Sequence, residues 1–395
     1  MCWTGTVSSP RILIYVQHLL GVGHYKRAAI IARAAASRGL DVTLVSGGDV
    51  PLNVELGNAN LVQLPPVHVE IGDFTTLYAK DGSVVDNKWR ACRASELLDV
   101  FRSDSPQVLV TELFPFGRRQ MQFELLPLLE AAKAASPRPA VVSSIRDILV
   151  GQDKPGRAEQ VCDQLKTYFD HVLVHADPKL VALEATFPHI DKIKSLVTYT
   201  GYVVEHLCND RLTSGTGEVL VSAGGGISGQ KLIETALACR HLTPLRNHTW
   251  RILIGSRGAY EYFRARFGEF DDDVIIEPAR SDFPSLLSGC TLSISQGGYN
   301  TIVETLQAKA QAVIVPFADG DETEQTMRAE LLVQHGLIEM VSESDLSKKT
   351  LTTAIIAALQ SNGATAAIDL SGAEVTAGLL EQWAIASYDL KPQQI

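Results

Sequence analysis

Residues 11–45 read RILIYVQHLLGVGHYKRAAIIARAAASRGLDVTLV, and the order of patterns in this stretch decides the fold class. Arg11 to Val16 is an apolar run typical of a buried strand. A glycine loop leads into a helical pattern from Tyr25 to Arg38, and a second apolar run covers Asp41 to Val45. Strand, loop, helix and strand in this order predict a parallel β-α-β unit.

The same alternation continues on both sides of a segment of mixed character near residue 210. The N-terminal half has strand patterns at Gln107–Val110, Ala140–Ser144 and His171–Val174, and a helical pattern at Gln120–Ala135. The C-terminal half has strand patterns at Val219–Ser222, Arg251–Ile254, Val274–Ile276, Leu292–Ser295 and Ala312–Val315, and helical patterns from Gly229 and at Tyr299–Ala308, Gln325–Gln334, Thr350–Leu359 and Glu374–Tyr388. Strands that alternate with helices predict an α/β fold with two Rossmann-like domains.

The composition is that of a folded, acidic protein. Its 395 residues include 35 Lys and Arg against 45 Asp and Glu, so no global basic field attracts nucleic acid. There is no apolar stretch of about 18 residues and no secretory signal pattern, so we expect a soluble or peripheral protein in the cytoplasm. The six cysteines lie far apart without metal-finger spacing, which favours reduced, buried thiols.

Three glycine-rich turns follow predicted strands, at residues 21–24, 224–229 and 296–299. In such turns the backbone N–H groups and the N-terminus of the next helix can approach an anion. Three of them at strand ends favour a phosphate-containing ligand over purely structural turns. NAD is disfavoured, because the first turn reads Gly21-Val-Gly23-His24 and lacks the third glycine of the dinucleotide fingerprint.

Polar residues behind the third turn suit a nucleotide-sugar. Glu304 lies four residues after Asn300 on the same helix face, where a carboxylate could hold ribose hydroxyls or simply be solvated. Residues 319–325 form an acidic loop that suits sugar hydroxyls or, alternatively, complements the dipole of the next helix.

Only one histidine has a setting for chemistry, namely His24, beside a glycine loop at a helix start. His171 and His175 have the four-residue spacing of a zinc pair, but on a strand this spacing spans about 13 Å, so no metal site is predicted.

Charged residues also end the strands of the N-terminal half. Glu112 and Asp147 follow predicted strands and are alternative bases. Arg118 and Arg119 could hold an anionic acceptor, touch a membrane, or only pack against their helix.

The stretch Ser295-Gln-Gly297-Gly298-Tyr299-Asn300-Thr-Ile-Val-Glu304 resembles the donor loop and ribose-binding glutamate of the GT-B glycosyltransferases, specifically those similar to the lipid-linked N-acetylglucosaminyltransferase of peptidoglycan synthesis. Residues 312–316, 197–204 and 222–229 resemble that family's next strand, its segment before the hinge and its second glycine loop. Two positions depart from the family, because Glu324 replaces a histidine and Arg328 replaces a sugar-facing asparagine.

This resemblance implies two Rossmann-like domains whose parallel sheets face each other across a cleft. The implied division is an acceptor domain at 1–204, a linker at 205–217, a nucleotide-sugar domain at 218–373, and a helix at 374–395 that packs back on the N-terminal domain. The implied activity is inverting, metal-independent transfer of a sugar from a nucleotide-sugar, with UDP expected, to an acceptor hydroxyl. No cofactor is implied, since the nucleotide-sugar is a co-substrate.

The resemblance also distributes roles among the residues. His24 is the expected general base. The expected donor-binding residues are Ser222, Gly224, Gly225, Gly226, Gly229, Arg280, Ser295, Gly297, Gly298, Tyr299, Asn300, Glu304, Glu324 and Gln325. The expected acceptor-side residues are Gly21, Gly23, Glu112, Arg118, Arg146 and Asp147.

Several alternatives stay open at this stage. The opening Gly21-Val-Gly23-His24-Tyr-Lys-Arg27 also resembles nucleotide-sugar hydrolases of the same fold, and a non-catalytic donor-binding subunit is a third hypothesis. A lipid-linked acceptor, a peripheral contact with the inner face of the membrane, and a monomer or homodimer all remain open. Arg328 suits an acidic donor sugar or, alternatively, a surface ion pair with Glu324 or Asp321.

Overall fold

The structure is a computed structural model that describes residues 9–19, 21–51, 54–70, 73–150, 154–205, 215–223, 229–255, 257–267, 273–318, 323–361 and 367–389. The chain divides into two compact units. The first unit comprises the chain up to Pro178, Ala182–Val203 and the chain from Asp369 onward, and the second comprises Lys179–Val181 and Val204–Ile368. Of the predicted linker 205–217, residues 206–214 lie outside the described residues.

The first unit is built on a parallel sheet. Its strands are β1 (Arg11–Val16), β2 (Asp41–Ser46), β3 (Asn60–Gln63), β6 (Val108–Glu112), β7 (Ala140–Arg146), β8 (His171–His175) and β9 (Val197–Tyr199), in the spatial order β3-β2-β1-β6-β7-β8-β9. A separate antiparallel pair is formed by β4 (Val67–Glu70) and β5 (Asp73–Ala79). The central strands are buried along nearly their whole length, as expected for a parallel sheet covered on both faces.

Helices cover this sheet. They are α1 (Gly23–Ser37), α2 (Asn87–Asp104), α3 (Gln122–Ala134), α4 (Arg157–Tyr168) and α11 (Gly372–Asp389). The last of these comes from the far end of the chain and packs against α1. Its inward face carries small or apolar residues that are buried in the core of the first unit, namely Ala373, Ala377, Leu380 and Ala384.

A short backbone pairing explains where α11 rejoins the first unit. Tyr202 N donates to Asp369 O at 2.8 Å, and Gly372 N donates to Tyr202 O at 3.1 Å. Residues 369–373 therefore lie with the first unit, whereas the sequence analysis assigned them to the C-terminal domain.

The second unit contains a second parallel sheet. Its strands are β10 (Val219–Ala223), β11 (Trp250–Ile254), β12 (Val274–Pro278), β13 (Leu292–Ser295), β14 (Ala312–Ile314) and β15 (Glu339–Met340), in the order β12-β11-β10-β13-β14-β15. Its helices are α5 (Gln230–Cys239), α6 (Arg257–Phe267), α7 (Phe283–Gly289), α8 (Tyr299–Ala308), α9 (Glu324–Gln334) and α10 (Lys348–Gln360). The predicted α/β class with two Rossmann-like domains is confirmed by these two sheets.

Some elements that the sequence did not predict are short or lack a clear apolar stripe. For example, β3 is four residues long and largely exposed, and α2 carries many charged residues. Cys92 lies exposed on α2, so the prediction of buried thiols was wrong there, although Cys162 and Cys239 are buried. Among the described residues, no helix is long and apolar enough to cross a membrane.

Candidate active site

One group of candidate residues lies at the carboxyl edge of the N-terminal sheet, where β1 passes into α1. His24 is the second residue of α1, and 12% of its side chain is exposed. This edge, outside the carboxyl ends of parallel strands, is where ligands bind in open α/β sheets. Gly23 begins the helix and Gly21 is exposed in the preceding loop, so both expected glycines flank His24.

Glu112, the last residue of β6, forms a hydrogen bond with His24. Its Oε1 lies 2.9 Å from His24 Nδ1 and also accepts from Arg27, and its Oε2 accepts from Ser144 Oγ at 2.7 Å. Burial alone would raise the pKa of Glu112, but the Arg27 charge and the donors from His24 and Ser144 hold that pKa well below its usual range. Glu112 is therefore an ionised acceptor whose oxygens are engaged by His24, Arg27 and Ser144, and its alternative role as a base stays a prediction.

The contact with Glu112 fixes the tautomer of His24. An ionised carboxylate only accepts hydrogen bonds, so its 2.9 Å contact places the proton on His24 Nδ1 and the lone pair on Nε2. Arg27 Nη2, which can only donate, lies farther from Nδ1, at 3.3 Å, and bonds to Glu112. Burial lowers the pKa of His24 well below its usual value, the charges of Arg118 and Arg146 lower it further, and Glu112 offsets only part of this. His24 is thus a neutral imidazole with an accepting Nε2.

Two of the remaining acceptor-side residues, Arg118 and Arg146, are close enough to His24 for their charges to lower its pKa. Arg118 adopts a left-handed backbone conformation with φ 62° and donates from Nε to Gln17 O at 2.5 Å. Burial and the Arg146 charge lower the pKa of Arg118 to about 10, which leaves it charged. Asp147 is buried just after β7, and its Oδ1 accepts from Ile148 N at 2.9 Å. Asp147 therefore caps its own loop.

Four residues of this cluster had no site role predicted from the sequence, namely Arg27, Ser144, His175 and Thr200. Arg27 lies one turn after His24 on the same helix face, which is the spacing that could have found it. Ser144, His175 and Thr200 are polar residues at or just after the ends of apolar strands. That position is the signal they share.

A second group of candidate residues lies in the second unit, in the turn between β13 and α8. Ser295 is buried at the end of β13, and Gly298 precedes Tyr299 at the start of α8. A Cβ on Gly297 would lie 3.2 Å from Gln325 O, so a side chain here would push this turn and α9 slightly apart. Asn300 is half-buried in the first turn of α8.

Two further expected donor residues lie near this turn. Glu304 is buried in α8, one turn after Asn300. Gln325 accepts from Phe317 N through Oε1 at 3.1 Å, which ties the start of α9 to the chain after β14.

Arg328 does not present its guanidinium as the sequence analysis proposed for an acidic sugar. It is fully buried, donates from Nη2 to Glu324 Oε1 at 2.6 Å and from Nη1 to Gly297 O at 3.0 Å, and lies over the Tyr299 ring. The ion pair with Glu324 is therefore the correct alternative, although it is a buried pair and not a surface bridge. Through these two bonds Arg328 holds α9 against the Gly297 turn.

The other expected donor residues have mixed positions. Ser222 is half-buried near the end of β10, and a Cβ on Gly229 would lie 2.1 Å from Ala223 Cβ, so only glycine fits there. Arg280 pairs with Asp282 at 2.6 Å and with Glu277 at 3.4 Å, which raises its pKa. Gly224, Gly225 and Gly226 lie outside the described residues, as do residues 319–322. No group of three or more potential ligands in the described ranges could hold a metal ion.

The turn, the helix behind it and the buried glutamate lie in a segment that matches a known family model. Residues 219–373 match the glycosyltransferase family 28 C-terminal domain. A curated relative from Carboxydothermus hydrogenoformans, a UDP-N-acetylglucosamine--N-acetylmuramyl-(pentapeptide) pyrophosphoryl-undecaprenol N-acetylglucosamine transferase, is 26% identical over 151 residues, which are 37% of this chain and 40% of the relative. The chain thus matches about two fifths of the length of the curated relatives.

Solved structures extend the likeness beyond the family 28 domain. The structure of Acinetobacter baumannii MurG has a TM-score of 0.55 at 14% identity and covers 98% of this chain and 96% of its own. The calicheamicin glycosyltransferase CalG4 has a TM-score of 0.57 at 15% identity, covering 96% of this chain and 95% of its own. The fold is therefore GT-B.

The buried Arg328 pair gives a stability prediction. Replacing Arg328 by Gln is expected to lower the free energy of unfolding by about 3 to 5 kcal/mol, because Glu324 is left as a buried charge without its partner. Urea denaturation measures this loss. The double change Glu324→Gln with Arg328→Gln should lose less than the single change. Arg102→Gln, which removes an exposed pair with Asp99, should leave stability nearly unchanged. An equally small loss at Arg328 would contradict the prediction.

Proposed function

We propose that the protein is an inverting, metal-independent glycosyltransferase that moves a sugar from a nucleotide-sugar to an acceptor hydroxyl. The observation that carries the proposal is His24, a neutral imidazole whose lone pair on Nε2 is set by Glu112 at the ligand-binding edge of the sheet. The family 28 match of residues 219–373 supports a nucleotide-sugar donor, and the named curated relatives support UDP as its nucleotide.

The proposed reaction is a single displacement. His24 Nε2 takes the proton of the acceptor hydroxyl while that oxygen forms a bond to the anomeric carbon. The bond from the anomeric carbon to the diphosphate oxygen breaks, and its electron pair leaves with the nucleoside diphosphate. Attack opposite the leaving group inverts the anomeric configuration.

Each of the two groups of candidate residues has a defined task in the proposed reaction. Glu112 stabilises the imidazolium that forms on His24, as a buried carboxylate does for other histidine bases. The backbone N–H groups of the turn at Gly297 and Gly298 and the N-terminus of α8 stabilise the charge of the leaving diphosphate. Glu304 holds the ribose. A polar clamp of this kind can serve leaving-group stabilisation without a metal ion.

A lipid-linked acceptor is proposed by analogy with the curated relatives. The curated relatives are named as transferases that act on a pyrophosphoryl-undecaprenol substrate. A lipid-linked acceptor and a cytoplasmic position at the inner face of the membrane are therefore the first alternatives to test.

The deciding experiment measures nucleotide release and sugar transfer. The purified protein is first screened by thermal shift against UDP, GDP, TDP and their sugars, since a bound ligand raises the melting temperature. The stabilising nucleotide-sugar is then incubated with and without lipid pyrophosphate and simple alcohol acceptors. Release that needs an acceptor and yields a glycoside of inverted configuration supports the proposal. Equal release without acceptor indicates a hydrolase, and binding without turnover indicates a donor-binding subunit.

Glu304 provides a prediction for the donor-binding residues. Glu304→Ala is expected to weaken nucleoside diphosphate binding by about 1.5 to 3 kcal/mol, because charge-assisted bonds to the ribose hydroxyls are lost. Isothermal titration calorimetry measures the change. Glu330→Ala, at an exposed position of α9, is the matched control and should bind as the wild type does. Unchanged affinity in Glu304→Ala would remove the ribose role.

A further inference from the structure

A buried chain of polar side chains continues beyond Glu112, and the proposed reaction does not use it. Ser144 Oγ lies 2.7 Å from Glu112 Oε2 and 2.9 Å from His175 Nε2, and His175 Nδ1 lies 2.8 Å from Thr200 Oγ1. All of these side chains belong to the first unit, and Ser144, His175 and Thr200 are each at most 2% exposed.

These hydrogen-bonded side chains come from neighbouring strands of the sheet, in order. His24 comes after β1, Glu112 ends β6, Ser144 lies near the end of β7, His175 ends β8, and Thr200 follows β9. These five strands are neighbours in the order β1-β6-β7-β8-β9. The register pairs Glu112 with Ser144 directly. Each strand end therefore supplies one hydrogen-bonding group at the same edge.

The positions of the protons follow from the chemistry of the groups. Glu112 is ionised, so Ser144 must donate its only hydroxyl proton to Glu112 Oε2. Ser144 Oγ must then accept from His175, which places the His175 proton on Nε2. Burial and the Arg27 charge lower the pKa of His175 to about 3, so His175 is neutral and its Nδ1 is an acceptor. Thr200 completes the chain by donating to Nδ1.

The opposite arrangement is available, but only to a protonated Glu112. Thr200 Oγ1 also lies 2.9 Å from Gly201 O, so Thr200 could donate there and accept from His175 Nδ1. Ser144 would then donate to His175 Nε2, and Glu112 Oε2 would face a lone pair of Ser144. That contact requires a proton on Glu112. The tautomer of His175 is thus coupled to the charge of Glu112.

We propose that Ser144, His175 and Thr200 are positioning residues that hold the Ser144 hydroxyl as a hydrogen-bond donor to Glu112. Glu112 then remains the acceptor for His24 Nδ1–H, and the lone pair of His24 stays on Nε2. This inference rests on the proposed function, in which His24 is the base. The wild-type protein should therefore contain two histidines in opposite tautomers, His24 protonated on Nδ1 and His175 protonated on Nε2.

Histidine-selective 15N labelling tests the tautomers directly. The nitrogen signals of His24 and His175 are assigned by loss in His24→Gln and His175→Gln, and the wild type is then recorded at neutral pH. In Ser144→Ala, His175 Nε2–H loses its acceptor, whereas Nδ1–H gains one in Thr200. We expect His175 to change to the Nδ1–H tautomer in this variant. The matched control is Ser143→Ala, because Ser143 is equally buried but bonds only to Phe114 O at 2.8 Å.

Kinetics provide the second measurement. Ser144→Ala should lower kcat about 10- to 100-fold with the donor KM unchanged, the effect of losing one hydrogen bond to a buried charge. Ser144→Thr retains the hydroxyl and should restore the wild-type tautomers and most of kcat. Ser143→Ala should keep the wild-type tautomers and the wild-type kcat.

Each outcome bears on one of the two proposals. The positioning role of Ser144, His175 and Thr200 is overturned if both histidines have the same tautomer in the wild type. It is also overturned if the His175 tautomer is unchanged in Ser144→Ala, even when the protein is an active transferase. The wild-type spectrum decides the matter if Ser144→Ala does not fold. Opposite tautomers in a protein that transfers no sugar would instead overturn the proposed function, with the hydrogen-bond chain intact.

Discussion

Replacing His24 by Ala lowers the turnover number about 10²- to 10⁴-fold and leaves the affinity for the donor nucleotide nearly unchanged. This range is typical of losing a general base. Donor affinity is retained because the residues assigned to the nucleotide lie in the second unit. Single-turnover kinetics for the chemical step and calorimetry for nucleotide binding separate the two effects.

The pH profile adds a second readout for the same residue. His24 acts as a base only when it is neutral, and its pKa in the folded protein lies well below its usual value. The rate should therefore stay flat as the pH falls through about 6.5, where an ordinary histidine titrates, and decline only at lower pH.

His189 is the matched control for His24. It also forms a histidine–carboxylate pair, with Nε2 at 2.8 Å from Glu159 Oε1, but this pair is exposed at the surface. His189→Ala should retain full turnover. If His24→Ala also does so, the base is a different group and the proposed reaction fails.

Replacing Glu112 by Gln is expected to lower turnover by a similar 10²- to 10⁴-fold, although the His24 side chain itself is unchanged. The amide of Gln can donate to His24 Nδ1, and that moves the imidazole proton to Nε2, where it blocks acceptance of the acceptor proton. The equivalent change in a serine protease triad costs about 10⁴-fold through the wrong tautomer. Arg27 also loses its buried counter-charge, so stability should fall by about 3 to 5 kcal/mol.

The two effects of Glu112→Gln are separable by experiment. Turnover is measured at a temperature where circular dichroism reports the variant fully folded. Glu112→Asp retains the negative charge opposite Arg27 and should retain more turnover than Glu112→Gln. Equal turnover in Glu112→Gln and the wild type would show that Glu112 does not set the tautomer of His24.

The sequence predicted the groups at the strand ends better than the connections between them. His24 was found from its glycine loop and Glu112 from the apolar strand before it. Their contact joins residues 88 positions apart. Such a contact depends on which strands are neighbours, and the sheet order cannot be derived from periodicity alone. For the same reason His175 had no visible partner, since Ser144 and Thr200 reach it only across β7, β8 and β9.

Arg328 illustrates a second limit of sequence patterns. Its spacing from Glu324 predicted an ion pair, but helical spacing does not say which face of a helix is buried. The bond from Arg328 to Gly297 O depends on how closely α9 approaches the turn before α8. That approach depends on how two elements pack. An arginine that faces a ligand and an arginine buried between two elements therefore have the same sequence pattern.

The return of α11 to the first unit has a consequence for how the chain is made. The first sheet is complete once β9 has been synthesised, but Ala377, Leu380 and Ala384, which close its core over α1, are more than 170 residues further along. The ribosome therefore releases all of the second unit before the first can bury its last helix. The second unit, whose residues are almost all contiguous in sequence, can complete its fold first, and the unit that carries His24 keeps apolar surface on α1 uncovered until α11 has been synthesised.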